Sequence, residues 1–363
     1  MLIENVTILC LKNNWNGGYQ CFDVFYQDIY DSLDKMKIKY FIANSYEDAE
    51  RILQNNNISF SICIGKYCFI KDGIALYDKY RVVNYEWIID NPYKYSENLN
   101  TPYNRLLMID DEFRLMPEFQ RKDYLTLSLG IPENQYDLKT ERKKAVLVPW
   151  KIKQRTFLEK LIYESTMKNQ IFDFIDGYDY ESSYIQYFVN YLKTNDVVDD
   201  RIFFRLTNDY IRFIKRITML NSIKEYAVVI ASDEKNDDIK GNNVSYIPTG
   251  NFKTTLALQK EYKYVLNNNP NYDMCIHDRV GHAVANGAIV ISDKSTLLKK
   301  LFFPLAVEFS RFNEIDRILF ECDNSTTDYS LIQRECLKDY RMNNTLVKMI
   351  QHYFRFSECC SID

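Results

Sequence analysis

Along the chain, short continuous apolar runs alternate with longer stretches whose apolar residues recur at helical spacing. Residues 6–11 (VTILCL) form a first apolar run, followed by a polar, glycine-containing turn at 13–18. Phe22, Phe25, Tyr26, Ile29 and Leu33 then fall on one helical face, and a second apolar run occupies 40–43. Strand, loop, helix and strand in that order is the βαβ signature of a parallel sheet. The alternation predicts further strands at 59–64, 82–87 and 106–109 and a helix near 46–54. Residues 1–135 are therefore expected to form one α/β domain, with a polar, charged linker at 133–144. A second series opens at 145–148 and turns mainly helical over 154–224. Its stripes are Phe157, Leu158, Leu161, Ile162 and then Ile211, Ile214, Ile217, Met219. Strands are predicted again at 227–231, 244–247, 264–266 and 288–291, giving a second α/β domain over 136–325. The tail, 326–363, has a helical pattern and is expected to pack across the domain junction. No repeat of solenoid period occurs.

Composition narrows the class. A chain of 363 residues with 46% hydrophobic content can fill two cores. No apolar run is long enough to span a bilayer, and the first residues lack the basic start and cleavage site of a signal peptide. A cytoplasmic protein is expected. The nine cysteines are scattered, odd in number and form no C-x-x-C pair, which disfavours a disulfide framework or a structural zinc site. A net charge of −4 argues against a nucleic-acid partner, although a local basic patch leaves peripheral membrane contact open. The 29 tyrosines accompany many Phe, Asn, Lys and Ile, all with AT-rich codons, and carry no functional weight alone.

Candidate chemistry gathers at strand ends. The loop NNWNGG after the first strand places Gly17 and Gly18 where open α/β sheets bind ligands. The same glycines serve equally well as a simple turn. No G-x-G-x-x-G is present, which disfavours a nicotinamide or flavin cofactor. The most informative stretch is 264–295, YVLNNNPNYDMCIHDRVGHAVANGAIVISDKS. It reads as a strand, a polar loop, a short helix opening near Asp278, a stop at Asn286-Gly287 and another strand. Asp278 can cap that helix, Val280, Ala283 and Val284 face inward, and Gly287 suits a left-handed cap. The helix N-terminus with Arg279 beside it is a ready anion site.

The segment HDRVGHAVANGAIVISD resembles the donor-binding element of group 1 glycosyltransferases, closest to the subset reading roughly H-E-R-V-F-x-A-x-A-x-G. WIIDNPYKY at 87–95 and LLMIDDEF at 106–113 are similar to further segments of that subset. The resemblance implies the GT-B fold: α/β, with two Rossmann-like domains facing across a cleft. It also implies a nucleoside-diphosphate sugar, a UDP-sugar first among them, held mainly by the second domain. Asp278, Arg279, Val280 and Gly281 would then lie beside the donor phosphates or ribose. The sequence departs from the pattern at Met274 and His282, where many relatives carry an acidic pair. Ribose or sugar recognition must therefore be made differently, and His282 becomes a candidate catalytic group.

Lys151, Lys153 and Arg155 follow the first strand of the second domain, where a cation can neutralise a leaving diphosphate. A solvated basic turn is the alternative. Arg205 and Arg212 are further candidates. Asp90, just after a strand, can act as base on an acceptor hydroxyl or close a turn before Pro92. Asp110-Asp111 has the same choice. No D-x-D motif occurs, so no metal is expected; a zinc set of Cys275, His277 and His282 has histidines off a common helical face. The expected function is metal-independent, retaining transfer of a sugar to a glycan, glycolipid or glycoprotein acceptor in bacterial surface glycan or glycoconjugate synthesis. The alternatives are a non-catalytic carbohydrate- or nucleotide-binding subunit and a sugar-nucleotide epimerase or hydrolase.

Overall fold

The computed structural model describes residues 5–12, 20–65, 69–89, 93, 101–120, 124–131, 141–180, 182–269, 276–327, 329–338 and 340–360. In chain order the elements are β1 (Thr7–Leu11), α1 (Cys21–Lys35), β2 (Lys39–Ala43), α2 (Tyr46–Asn55), β3 (Phe60–Ile64), β4 (Ile70–Lys71), β5 (Ile74–Ala75), α3 (Leu76–Tyr80), β6 (Val83–Ile88), β7 (Asn104–Met108) and β8 (Leu125–Thr126). There follow β9 (Lys143–Val148), α4 (Arg155–Tyr163), α5 (Lys168–Gly177), α6 (Tyr184–Thr194), α7 (Asp200–Ser222), β10 (Val228–Ala231), β11 (Val244–Ile247), α8 (Phe252–Gln259), β12 (Tyr262–Asn267), α9 (Asp278–Ala285), β13 (Ile289–Asp293), α10 (Thr296–Phe302), β14 (Ala306–Phe309), α11 (Ile315–Asp323), α12 (Tyr329–Lys338) and α13 (Met342–Cys360). No helix among the described residues is long and apolar enough to cross a membrane.

The chain divides into two compact units, one comprising 1–109, 121–134 and 340–363, the other 110–120 and 135–339. The first unit holds a parallel sheet of order β2-β1-β3-β6-β7-β8. Its strands β3 and β7 are buried at every position, which is why their apolar parts, 62–64 and 106–108, read as continuous runs. The polar residues buried among them are paired across strands. Ser61 Oγ donates to Asn84 Oδ1 at 2.8 Å, Asn84 Nδ2 to Asn104 Oδ1 at 2.9 Å, and Asn104 Nδ2 to Glu86 Oε2 at 2.8 Å. Such bonds offset the desolvation that isolated amides would suffer. α13 packs against α1, its His352 Nδ1 lying 2.9 Å from Tyr85 Oη and its Tyr353 ring 5.2 Å from that of Phe60.

The second unit holds a parallel sheet of order β11-β10-β9-β12-β13-β14. Between β9 and β10 the crossover expands into α4–α7, packed around Phe174, whose ring meets Tyr184, Phe188 and Phe203 edge to face. The short 3-10 turn Asp111–Leu115 belongs to this unit. Asp110 caps it by accepting from the Glu112 amide at 2.8 Å, and Glu112 accepts from Ser183 Oγ at 2.8 Å and Gln186 Nε2 at 3.1 Å on α6. Asp110 is thus engaged as a cap. Residues 326–363, read above as one terminal segment, are shared. α12 packs on α9 and α10 of the second unit, while α13 belongs to the first.

Candidate functional site

In the second sheet β9 has β10 on one side and β12 on the other, so successive crossovers leave in opposite directions at the β9/β12 boundary. At such a switch point the carboxyl ends of the strands open a crevice that serves as a binding site. Trp150 lies two residues past the end of β9. It is 4% exposed, and its indole N–H donates to the Leu266 carbonyl of β12 at 3.2 Å, tying the two strand ends together.

The Trp150 ring carries Arg216 of α7, whose guanidinium carbon stands 4.8 Å from the ring centroid. Arg216 Nη1 donates to the Lys151 carbonyl at 2.8 Å and Nε to Asn268 Oδ1 at 3.3 Å. Burial, then the charges of Arg212 and Arg279, lower the Arg216 pKa well below the ordinary arginine value. Arg212 sits one turn earlier on α7, and its Nε is buried with no hydrogen-bond partner among the described residues. Arg279 is the second residue of α9 and is itself buried. Three arginines thus converge at the strand ends, an arrangement suited to stabilising an anion.

α9 completes the site. Its N-cap is His277 rather than Asp278, which is the first helical residue. The His277 Nδ1 lies 3.5 Å from the Arg279 amide, too long for a strong cap. His277 Nδ1 faces Asp278 Oδ1, and Nε2 lies 2.7 Å from Arg279 Nη2. Arg279 Nε also donates to His277 Nδ1 at 3.1 Å, so the ring is held between the guanidinium and the Asp278 carboxylate. Burial and Arg279 lower the His277 pKa, so the ring is neutral at pH 7. Burial alone raises the Asp278 carboxyl, but His277 and Arg279 outweigh it and hold the acid well below the usual carboxylate range. At the other end of the helix, Gln333 Nε2 donates to the carbonyls of Val284 and Ala285 at 2.5 and 2.8 Å, and Arg142 to that of Asn286. Gly287 takes φ 80° to end it.

Of the residues singled out in the sequence, Arg212, Asp278 and Arg279 stand at this site. Val280 and Gly281 are buried in α9 and offer only backbone. His282 is 2% exposed and edge-on to Phe252 at 6.0 Å, with burial pushing its pKa down to about 4. Lys151 contributes its carbonyl to Arg216. Lys153 pairs with Asp209 at 2.6 Å and Arg155 with Glu159 at 2.8 Å, both on exposed surface. Arg205 is exposed on α7. Gly17, Gly18, Asp90 and Cys275 lie outside the described residues. Among the described residues no three His, Cys, Asp or Glu side chains are placed to hold a metal. Sequence reasoning missed Trp150, Arg216, Asn268 and Asp293, the last joined to Arg216 through Asn268. The available signal was the spacing of Arg212 and Arg216, which puts two cations on one helical face.

No protein family and no curated protein matches the chain by sequence. Solved structures do match. A glycosyltransferase involved in avilamycin A biosynthesis (AviGT4) superposes with a TM-score of 0.59 at 10% identity, over 96% of this chain and 97% of that one. Sucrose-phosphate synthase from Thermosynechococcus elongatus gives 0.52 at 7% identity, over 98% and 100%. T4 phage β-glucosyltransferase in complex with its substrate UDP-glucose gives 0.50 at 9% identity, over 97% and 99%. At these identities the likeness is one of fold: two Rossmann-like units of the GT-B glycosyltransferase type.

Proposed function

We propose that the protein transfers a glycosyl group from a nucleoside-diphosphate sugar, a UDP-sugar first among them, to a hydroxyl of a glycan, glycolipid or glycoprotein acceptor. The observation that carries this reading is the convergence of Arg212, Arg216 and Arg279 with the α9 N-terminus at the β9/β12 switch point. A diphosphate bridge is dianionic, and arginine forks match its oxygens. The GT-B-type fold, shared with a T4 enzyme whose structure holds UDP-glucose, supports the same choice.

The chemistry follows from charge. As the glycosidic bond to the diphosphate breaks, negative charge grows on the leaving phosphate. Fixed cations and the helix dipole stabilise that charge more in the transition state than in the ground state. The arginines thereby take the part a metal ion plays elsewhere, and the reaction is metal-independent. Retention of configuration and a role in bacterial surface glycan or glycoconjugate synthesis are part of the proposal. So is acceptor binding on the first unit, where Asp90, which follows β6, serves as the acceptor-side carboxylate. The buried, neutral His282 is assigned to packing of α9 rather than to the chemical step.

The test is calorimetry with UDP, GDP, ADP, dTDP and CMP, with and without EDTA, on the wild type and Arg216→Ala, followed by turnover of the matching nucleotide-sugar. One nucleotide is expected to bind regardless of EDTA, with affinity falling at least about tenfold in the variant. Equal binding by the variant overturns the arginine site. Binding without turnover in the presence of varied acceptors reduces the protein to a nucleotide-binding subunit.

A further inference from the structure

α9 is held unevenly along its length. It has 8 residues, a span of about 12 Å. A helix that short does not persist by itself in water, and Gly281 in its middle weakens it further. Its position is therefore set by what grips it. At the N-terminus the side-chain cap is weak, His277 Nδ1 standing 3.5 Å from the Arg279 amide.

The opposite end is gripped by side chains remote in sequence. The last carbonyls of a helix have no amide partners within it. Gln333 of α12 is buried, and its Nε2 donates to the carbonyls of both Val284 and Ala285. Arg142, just before β9, donates through Nη2 to the carbonyl of Asn286, the C-cap residue. Through Nη1 it donates to the carbonyls of Gln259 at 3.3 Å and Tyr262 at 3.2 Å. Gln259 ends α8, so one guanidinium joins the carboxyl ends of two helices to the start of β12. Burial lowers the Arg142 pKa, and the helix-end dipoles it meets offset that cost. Asn286 Nδ2 adds bonds to the Leu256 carbonyl and to Gln259 Oε1, both at 3.3 Å.

Given that the arginine cluster is the diphosphate site, we infer that Gln333 and Arg142 are positioning residues for diphosphate binding. They stand at the far end of α9 from the ligand and act by fixing that end, so that the N-terminus presents Arg279 in one place. A short rod gripped at one end transmits any loosening of the grip to the other. A guanidinium that must meet phosphate oxygens is sensitive to displacements of about 0.5 Å. Arg212 and Arg216 project from α7 and owe nothing to this anchor. Loss of the grip should therefore weaken only the share of binding that α9 carries.

The experiment is a pair of double-mutant cycles read by calorimetry with pyrophosphate, the bridge common to every nucleoside diphosphate, at low salt. Gln333→Leu is placed in the wild type, in Arg216→Ala and in Arg279→Ala. It is expected to weaken pyrophosphate about tenfold in the first two backgrounds, and by no more than about threefold once Arg279 is gone. A residue that serves stability alone lowers the melting temperature and leaves affinity unchanged, or weakens binding by the same factor in every background. No loss in the wild-type background, or equal losses in Arg216→Ala and Arg279→Ala, overturns the inference. Failure of the wild type to bind pyrophosphate overturns the diphosphate site itself and the positioning role with it. Arg142→Met in the same backgrounds repeats the test and decides it should Gln333→Leu fail to fold. The long-range effect of its missing charge cancels between backgrounds.

Discussion

Arg216 and Trp150 form the joint on which the second unit's site is assembled. The guanidinium lies 4.8 Å over the indole, and the indole N–H is committed to the Leu266 carbonyl on the neighbouring strand. The ring therefore positions a cation from a crossover helix and locks the ends of β9 and β12 in one stroke. Trp150→Phe keeps an aromatic face and loses the N–H bond. Trp150→Leu loses both. The leucine variant is expected to lose roughly 2–4 kcal/mol of stability from the buried site and about tenfold in nucleotide affinity. The phenylalanine variant should retain most of the affinity. Denaturant unfolding and calorimetry on the two variants check this, and equal affinities in all three proteins would remove Trp150 from the site.

Lys153 and Arg155 provide the contrast. Both attracted interest as cations after the first strand of the second unit, yet each is tied on exposed surface to its own carboxylate, Asp209 and Glu159. Exposed pairs of this kind contribute little. Lys153→Ala and Arg155→Ala should leave nucleotide affinity within about threefold of the wild type, well short of the loss in Arg216→Ala. A tenfold loss in either would return the first loop to the phosphate site.

The alternation of apolar runs and helical stretches made both parallel sheets legible, because strands such as β3 and β7 are buried on both faces. β14 escaped because Ala306–Phe309 includes a glutamate and follows a proline-containing turn, leaving no sustained run. β8, only two residues long, gave no pattern at all. The α9 element was legible for a local reason: its N-terminus with Arg279, small residues and left-handed glycine stop all lie within a short stretch of sequence. Arg216, Asn268 and Asp293 were not, because they come together from α7 and from the ends of β12 and β13. Only strand order brings those ends together, and order is not written in any local window.

Gly130 marks where the chain must come closest to itself in the first unit. A Cβ there would stand 2.6 Å from both the Met342 Cα and the Met342 amide nitrogen. The backbone on either side is pinned, Ile131 N donating to the Tyr340 carbonyl at 3.1 Å and Met342 N to the Ile131 carbonyl at 2.8 Å. Backbone cannot yield as a flexible side chain does, so Gly130→Ala should displace the start of α13 and cost about 3 kcal/mol. Hydrogen exchange should rise in α13 and around β8. An alanine variant with unchanged melting temperature and exchange would show that the approach is looser than this.

Asp28 on α1 couples the first unit's stability to pH. Burial, then the nearby charge of Asp31, raises its pKa from 3.8 to about 8. The folded state holds this proton over a range in which the unfolded chain has released it. The contribution to stability is therefore full below about pH 4 and is lost as pH rises through about 8. Asp28→Asn fixes the neutral form, so its melting temperature relative to the wild type should climb between pH 5 and pH 9. A difference that does not vary with pH would mean that Asp28 is ionised in the folded protein.

His282 couples the second unit to pH with the opposite sign. Burial against Phe252 pushes its pKa from 6.5 down to about 4. Between those values the unfolded chain binds a proton that the folded chain refuses, so stability rises with pH across the window. Above about pH 6.5 the group contributes no slope, and on acidification toward pH 4 the fold loses up to about 3 kcal/mol through this ring alone. Other groups titrate in the same range, Asp293 among them at about 6 with the reverse sign, so the wild-type profile by itself is ambiguous. The difference between the wild type and His282→Gln isolates the ring. Glutamine keeps a polar side chain of similar reach and cannot be protonated. Its melting temperature should lie below the wild type's at pH 7.5, where the imidazole is neutral and packed, and the gap should narrow or reverse by pH 4.5. Turnover at pH 7.5 should fall no further than the change in stability explains. A selective collapse of turnover in a folded His282→Gln protein would move this histidine from the packing of α9 back to the chemical step.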